Sequence, residues 1–156
     1  MTLVIINKHS TIMKIWLAYR FRGEDLKKLK EQLDAIRAAF QESGHEIFTM
    51  IDDIQKWDWD NPAIPKTEII RQEYSLAKTC DIALCIYASF EPSEGRGWDA
   101  GFFAGMGKPT IMAVHKSISD PYIEGLYSEN PANKNFNLPA IIRYENLEDI
   151  VKSLKK

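Results

Sequence analysis

The run Asp81-Ile82-Ala83-Leu84-Cys85-Ile86-Tyr87 is followed by Ser93-Glu94-Gly95-Arg96-Gly97-Trp98-Asp99-Ala100-Gly101, and then by Gly107-Lys108-Pro109-Thr110-Ile111-Met112-Ala113-Val114. The first piece is almost continuously apolar over the length of a strand, which reads as a strand covered on both faces. The second reads as a glycine-rich turn that opens a short helix, and the third as a break followed by another apolar strand. Strand, turn, helix and strand in that order make one unit of a parallel sheet. The turn also carries Glu94 and Asp99. It would set carboxylates and backbone N–H groups together at a sheet edge, where ligands bind.

The same alternation continues outward. Ile15-Trp16-Leu17-Ala18 reads as a buried strand, and Leu26, Leu29, Leu33, Ile36 and Phe40 then recur at helical spacing. Glu24 and Asp25 are expected in that helix's first turn, with Ser43-Gly44 ending it. A second strand is expected over about Glu46 to Ile51, and a helix after Pro65 bearing Ile69, Ile70, Tyr74 and Ala77 on one side. Ile141 to Tyr144 supplies a fifth strand; Leu147, Ile150, Val151 and Leu154 mark a closing amphipathic helix. The stretch from His115 to Pro139 reads as a mobile segment or a lid. The expected architecture is α/β: one domain with a five-stranded, mostly parallel sheet and helices on both faces. The domain is expected over 14–156, preceded by an extension over 1–13.

With 156 residues, 45% hydrophobic, the chain suffices for one domain with its own core. A net charge of −2 with scattered basic residues speaks against nucleic acid as a partner. Cys80 and Cys85 read as buried thiols, since their spacing fits neither a zinc site nor a disulfide framework. No apolar run approaches the roughly 20 residues of a membrane span, and no signal-peptide pattern opens the chain. A cytoplasmic setting without membrane contact is expected, with no cofactor and no metal.

In a sheet of this kind, ligands sit beyond the carboxyl ends of the strands. Tyr19 to Gly23, Asp52 to Pro65, Ala88 to Trp98 and the loop after His115 would meet there. They gather carboxylates, aromatic rings and glycines, without a metal-ligand cluster or a Ser/His/Asp arrangement. Such a crevice suits chemistry at a sugar's anomeric carbon, with one carboxylate attacking or stabilising the carbon and a second group managing a proton. Each candidate also has a plainer reading. Asp99 is equally a first-turn helix acid, Glu73 a solvated charge and Trp98 a core ring. Trp57 and Trp59 suit an interface as well as a pocket. Arg20 and Arg96 read as solvated arginines, with phosphate contact as the other reading.

Several pieces together resemble the nucleoside 2-deoxyribosyltransferase family: Lys14-Ile15-Trp16-Leu17-Ala18 with Phe21, Asp52 with Gln55 to Pro62, Asp81-Ile82-Ala83-Leu84, and Gly95-Arg96-Gly97-Trp98-Asp99-Ala100-Gly101 through Gly107-Lys108-Pro109. The likeness spans about residues 14 to 114, with a weaker echo at Asn137-Leu138. It implies a flavodoxin-like domain that cleaves the N-glycosidic bond of a nucleoside or nucleotide through a covalent sugar intermediate and passes the sugar to a base or water. The resemblance puts Asp99 where the family has a nucleophilic glutamate, and Glu73 where some members carry an acid that assists proton transfer. Together with the positions of these residues at the strand ends and in the turn, it makes Tyr19, Phe21, Asp52, Trp57, Ser93, Glu94, Gly95, Gly97, Trp98 and Asn137 the expected substrate contacts. It also implies a homo-oligomer, because family members complete their sites from a neighbouring subunit. The chain departs from the pattern where Asp99 replaces glutamate and where Ser93 stands in place of a common aspartate, and Tyr19 and Arg20 stand where family members often have small residues, which would narrow the pocket or add a phosphate or ring contact. A non-catalytic nucleotide-binding or sensing domain is the alternative. A further one comes from Phe21-Arg22-Gly23-Glu24-Asp25, which resembles the first-strand motif of TIR domains, a group that includes NAD-cleaving enzymes.

Overall fold

A computed structural model describes residues 12–21, 23–57, 64–88, 94–119 and 130–154. Parallel strands β1 (Lys14–Ala18), β2 (Glu46–Phe48), β3 (Ile82–Tyr87), β4 (Thr110–His115) and β5 (Ile141–Tyr144) form one sheet in the order β2-β1-β3-β4-β5. Every described strand pair is parallel, so the expected sheet is parallel throughout. The order is that of a flavodoxin-like domain, and it reverses between β1 and β3, which opens a crevice at their carboxyl ends.

Helices α1 (Leu26–Gln41), α2 (Lys66–Ala77), α3 (Glu94–Gly105), α4 (Pro131–Asn135) and α5 (Leu147–Leu154), with a π-helical turn over Met50–Ile54, complete the described elements. On one sheet face Ile15, Leu17, Leu84, Ile86 and Ile111 pack with Leu29, Leu33, Ile36 and Phe40 of α1 and with Ile150 and Val151 of α5. On the other face Trp16, Ala18, Cys85 and Met112 pack with Ile69 and Ala77 of α2 and with Ala100 and Phe103 of α3. Alternate strand residues thus feed two cores, as the period of 2 requires. Both cysteines are buried free thiols, as expected.

The boundaries differ from expectation where polar side chains intervene. Asp25 is the N-cap of α1, not a first-turn residue: its Oδ1 accepts from the Lys27 and Lys28 N–H groups at 3.0 and 3.1 Å. Strand β2 stops at Phe48 instead of Ile51, because Thr49 caps a π-helical turn over Met50–Ile54, its Oγ1 accepting from the Asp52 N–H at 3.1 Å. The glycine-rich segment is the first turn of α3 itself, not a loop before it. Within the segment after His115, α4 is anchored by buried Asn133, whose Nδ2 donates to the carbonyls of Thr110 and Pro139 at 3.0 Å. Residues 1–11, Ser93, Trp59 and the rest of 120–129 lie outside the described residues.

Candidate active site

Two helices on the same sheet face each turn a carboxyl group inward. On α2, Ile69, Glu73 and Ala77 recur every fourth residue, so they share one face, and all three are buried. Glu73 therefore sits in an apolar stripe at 8% exposure, not in solvent. On α3, Arg96, Asp99, Ala100 and Phe103 follow an i, i+3, i+4, i+7 pattern and are likewise buried, Asp99 at 7% exposure. The packing of Ala100 and Phe103 against the sheet carries Asp99 down onto Trp16 and across to Glu73.

Burial raises the pKa of both carboxyls. For Glu73, the negative charge of Asp99 and a hydrogen bond to it raise the value further; for Asp99, contact with Trp16 and the hydrogen bond from Glu73 work the other way. The upward shift is the larger for Glu73, so of the two carboxyls it is the one whose protonated form the surroundings favour. The Trp16 indole favours the ionised form of Asp99, yet Nε1 has no acceptor within hydrogen-bond geometry. Its effect is that of a nearby dipole, not of a closed hydrogen bond.

Above the pair opens a cleft of about 720 Å³, lined by Trp16, Tyr19, Arg20, Phe21, Gly23, Thr49, Met50, Ile70, Glu73, Tyr74, Gly95, Trp98 and Asp99 among others. It lies at the strand-order reversal, where the topology leads one to look. One wall is aromatic: the Tyr74 and Trp98 rings lie 4.6 Å apart, and Trp98 stacks on Phe102 at 5.0 Å. From the end of β1, the Tyr19 hydroxyl donates to Gln32 Oε1 at 2.9 Å, which fixes its ring at the mouth. Burial raises the Tyr19 pKa, so the phenol stays protonated.

The structure brings Asp99, Glu73, Tyr19, Phe21, Gly95 and Trp98 into this one cleft. Glu94 opens α3, but its side chain, like Ser93, is outside the described residues. Gly97 is exposed on α3, away from the cleft lining. Asp52 and Trp57 are turned toward α1: Trp57 Nε1 donates to Asp52 Oδ1 at 2.9 Å, Asp52 pairs with Arg37 at 2.8 Å, and the Lys30 ammonium lies 5.3 Å from the Trp57 ring. The π-helical turn causes this, since it presents Thr49, Met50 and Ile51 to the cleft in their place. Asn137 has a φ of +54° just before β5 and lines a separate cavity with Leu138, Pro139 and Leu154. It stands at the opposite sheet edge.

Arg96 is buried at 2% exposure, which corrects its reading as a solvated arginine. Its Nη1 donates to the Ile86 carbonyl at 2.8 Å and its guanidinium lies 4.0 Å from the centre of the Tyr87 ring. Sequence reasoning did not assign Ile70, Tyr74 or Met50 to the site. For Ile70 and Tyr74 the signal was available: they sit four residues apart on α2, one position round from the Glu73 stripe. Among the described residues, no cluster of three or more His, Cys, Asp or Glu side chains could hold a metal ion, and no helix is long and apolar enough to cross a membrane.

Comparison with known proteins fits this geometry. The CMP N-glycosidase of Clostridium botulinum has a similar structure, with a TM-score of 0.60 and 16% identity over 91% of this chain and 97% of that one. A conserved protein from Enterococcus faecalis V583 gives 0.61 at 13% identity, over 93% and 98% of the two chains. The 2-deoxyribosyltransferase of Bacillus psychrosaccharolyticus gives 0.58 at 18% identity, over 88% and 90%. At such identities these likenesses establish the fold. No curated protein sequence matches the chain closely enough to count as a relative. The sequence model of nucleoside 2-deoxyribosyltransferases, however, matches residues 15–138, and the chain belongs to that family.

Proposed function

We propose that the protein is an enzyme that cleaves the N-glycosidic bond of a nucleoside or nucleotide and transfers the sugar to a base or to water. The observation that carries this reading is the buried pair of carboxyls under an aromatic cleft, in surroundings that favour a proton on Glu73 over one on Asp99. Two acids whose surroundings set their proton affinities apart are what the reaction needs. An Asp99 oxygen attacks the anomeric carbon as the bond to the base nitrogen breaks. The bonding electrons leave with the base, which takes the proton of Glu73. The product is a glycosyl ester on Asp99 and an ionised Glu73. In the second half, the acceptor base or water attacks the same carbon, the ester oxygen departs as the Asp99 carboxylate, and the acceptor's proton returns to Glu73. Tyr74 and Trp98 offer rings on which a base stacks.

Aspartate at position 99 is one methylene shorter than the family's glutamate. The close approach of α3 to Glu73 and Trp16 supports its use as the nucleophile. The exposed apolar rim, with Ile70 at 46% and Trp98 at 42% exposure, supports assembly with a second copy, which sedimentation would show as a species larger than a monomer. The deciding assay incubates the protein with purine and pyrimidine nucleosides, deoxynucleosides and their monophosphates, with and without a free acceptor base. Exchanged nucleoside indicates transfer and free base alone indicates hydrolysis; either is expected to vanish in Asp99→Ala. Tight binding with no turnover on any substrate would favour the binding-domain alternative and overturn the proposal.

A further inference from the structure

The cleft has two chemically distinct ends. Glu73 and Asp99 form the acidic floor, while Arg20 lines the mouth at the end of β1. The Arg20 side chain is only 21% exposed and pairs with Glu24 at 3.4 Å, a long contact for an ion pair. It lies folded against the next turn: a Cβ at Gly23 would come within 3.3 Å of Arg20 Nη2, and Gly23 has a φ of +81°. Glycine at that position thus gives the guanidinium its place beside the cleft. Buried Arg96 is close enough for the two positive charges to repel, which adds to the positive potential near Arg20. A guanidinium lining the same cleft as the two carboxyls suits a phosphate dianion, which its planar fork of donors binds through paired charge-assisted hydrogen bonds.

We propose that the substrate is a nucleoside 5′-monophosphate, its phosphate held by Arg20 while its sugar lies over Asp99. The inference rests on the glycosyl-transfer reading above and narrows it from nucleosides in general to phosphorylated ones. It makes Arg20 a specificity residue: the guanidinium binds the phosphate oxygens and takes no part in breaking the glycosidic bond.

The test compares kcat/KM for a nucleoside and for its 5′-monophosphate in the wild-type protein, in Arg20→Ala and in Arg20→Lys. The wild type is expected to favour the monophosphate by at least about 10-fold, and Arg20→Ala to lower that ratio about 10- to 100-fold, mainly through KM, as loss of a charge-assisted contact would. Arg20→Lys should restore part of the ratio, since it keeps the charge and loses the planar fork. A wild type that uses the nucleoside as well as the monophosphate would overturn the inference, as would an Arg20→Ala variant with an unchanged ratio. Calorimetric binding of ribose 5-phosphate separates this inference from the reading it rests on. If the protein turns over no substrate, the transfer reading fails, while ribose 5-phosphate binding at least 10-fold tighter than ribose still supports the phosphate site. Equal binding of the two sugars refutes the site whatever the catalysis.

Discussion

Replacing Glu73 with glutamine removes one titrating proton from the buried pair while keeping the side chain's volume and a hydrogen-bond donor toward Asp99. Burial, followed by the charge of Asp99, moves the Glu73 pKa from 4.5 to about 8 in the folded protein. A tenfold change in proton affinity is worth ~1.4 kcal/mol, so ionising Glu73 in place costs on the order of 3–5 kcal/mol, the lower end allowing for the charge it shares with Asp99. The sign follows from the upward shift. The folded state binds this proton more tightly than the unfolded chain does, so the stabilisation is complete below pH 4.5 and is lost as the pH rises through about 8. Glu73→Gln has no such loss. Urea unfolding of both proteins at pH 5, 7 and 9, followed by tryptophan fluorescence, is expected to give similar stabilities at pH 5. At pH 9 the variant should be the more stable by several kcal/mol. A difference between the two proteins that stays constant from pH 5 to 9 would refute the account of the buried Glu73 proton.

Other outcomes follow from the same geometry. The pH profile of kcat/KM should be bell-shaped, rising near 6 as Asp99 ionises and falling near 8 as Glu73 loses its proton; a flat profile between pH 5 and 9 would exclude the pair from the reaction. Asp99→Glu pushes a methylene into a buried site fitted to aspartate, so activity should fall at least about tenfold and stability by about 1–3 kcal/mol; a gain in activity would show the shorter side chain to be a handicap. Trp98→Ala should raise KM for nucleosides by about 5- to 15-fold through lost stacking, and an unchanged KM would place the base elsewhere. Arg37→Ala leaves Asp52 and Asp53 without their shared partner, and should cost about 1–2 kcal/mol in chemical denaturation; no cost would mean that the π-helical turn is held by Thr49 alone.

The alternation of apolar strands and amphipathic helices was legible because β1, β3 and β4 carry uninterrupted apolar runs and each long helix a regular stripe. The end of β2 was not, because Met50 and Ile51 continue the apolar pattern and only the Thr49 cap ends the strand. The start of α3 was hidden by its composition. Three glycines in eight residues read as a turn, since each costs ~1 kcal/mol in a helix, yet the inward stripe of Arg96, Asp99, Ala100 and Phe103 holds the segment helical. Asp99 stood out because an acid followed an apolar strand at the sheet's binding edge. The burial of Glu73 was readable only from Ile69 and Ala77 on either side of it. That of Arg96 was not readable at all, because the ring and carbonyl that receive it, Tyr87 and Ile86, come from the neighbouring strand. Asp52 and Trp57 looked like one loop beside the site, and the local backbone turned them onto Arg37 and Lys30.

The central claim is that Asp99 forms a bond to the sugar. Mass spectrometry of the intact and digested protein after incubation with a 2′-fluoro-2′-deoxynucleoside or its 5′-monophosphate tests it directly, because the fluorine slows breakdown of a glycosyl ester. A mass increase of one fluorosugar, mapped to Asp99 and absent in Asp99→Asn, is the predicted result. Turnover of natural substrate with no adduct, or an adduct on any other residue, would contradict the account.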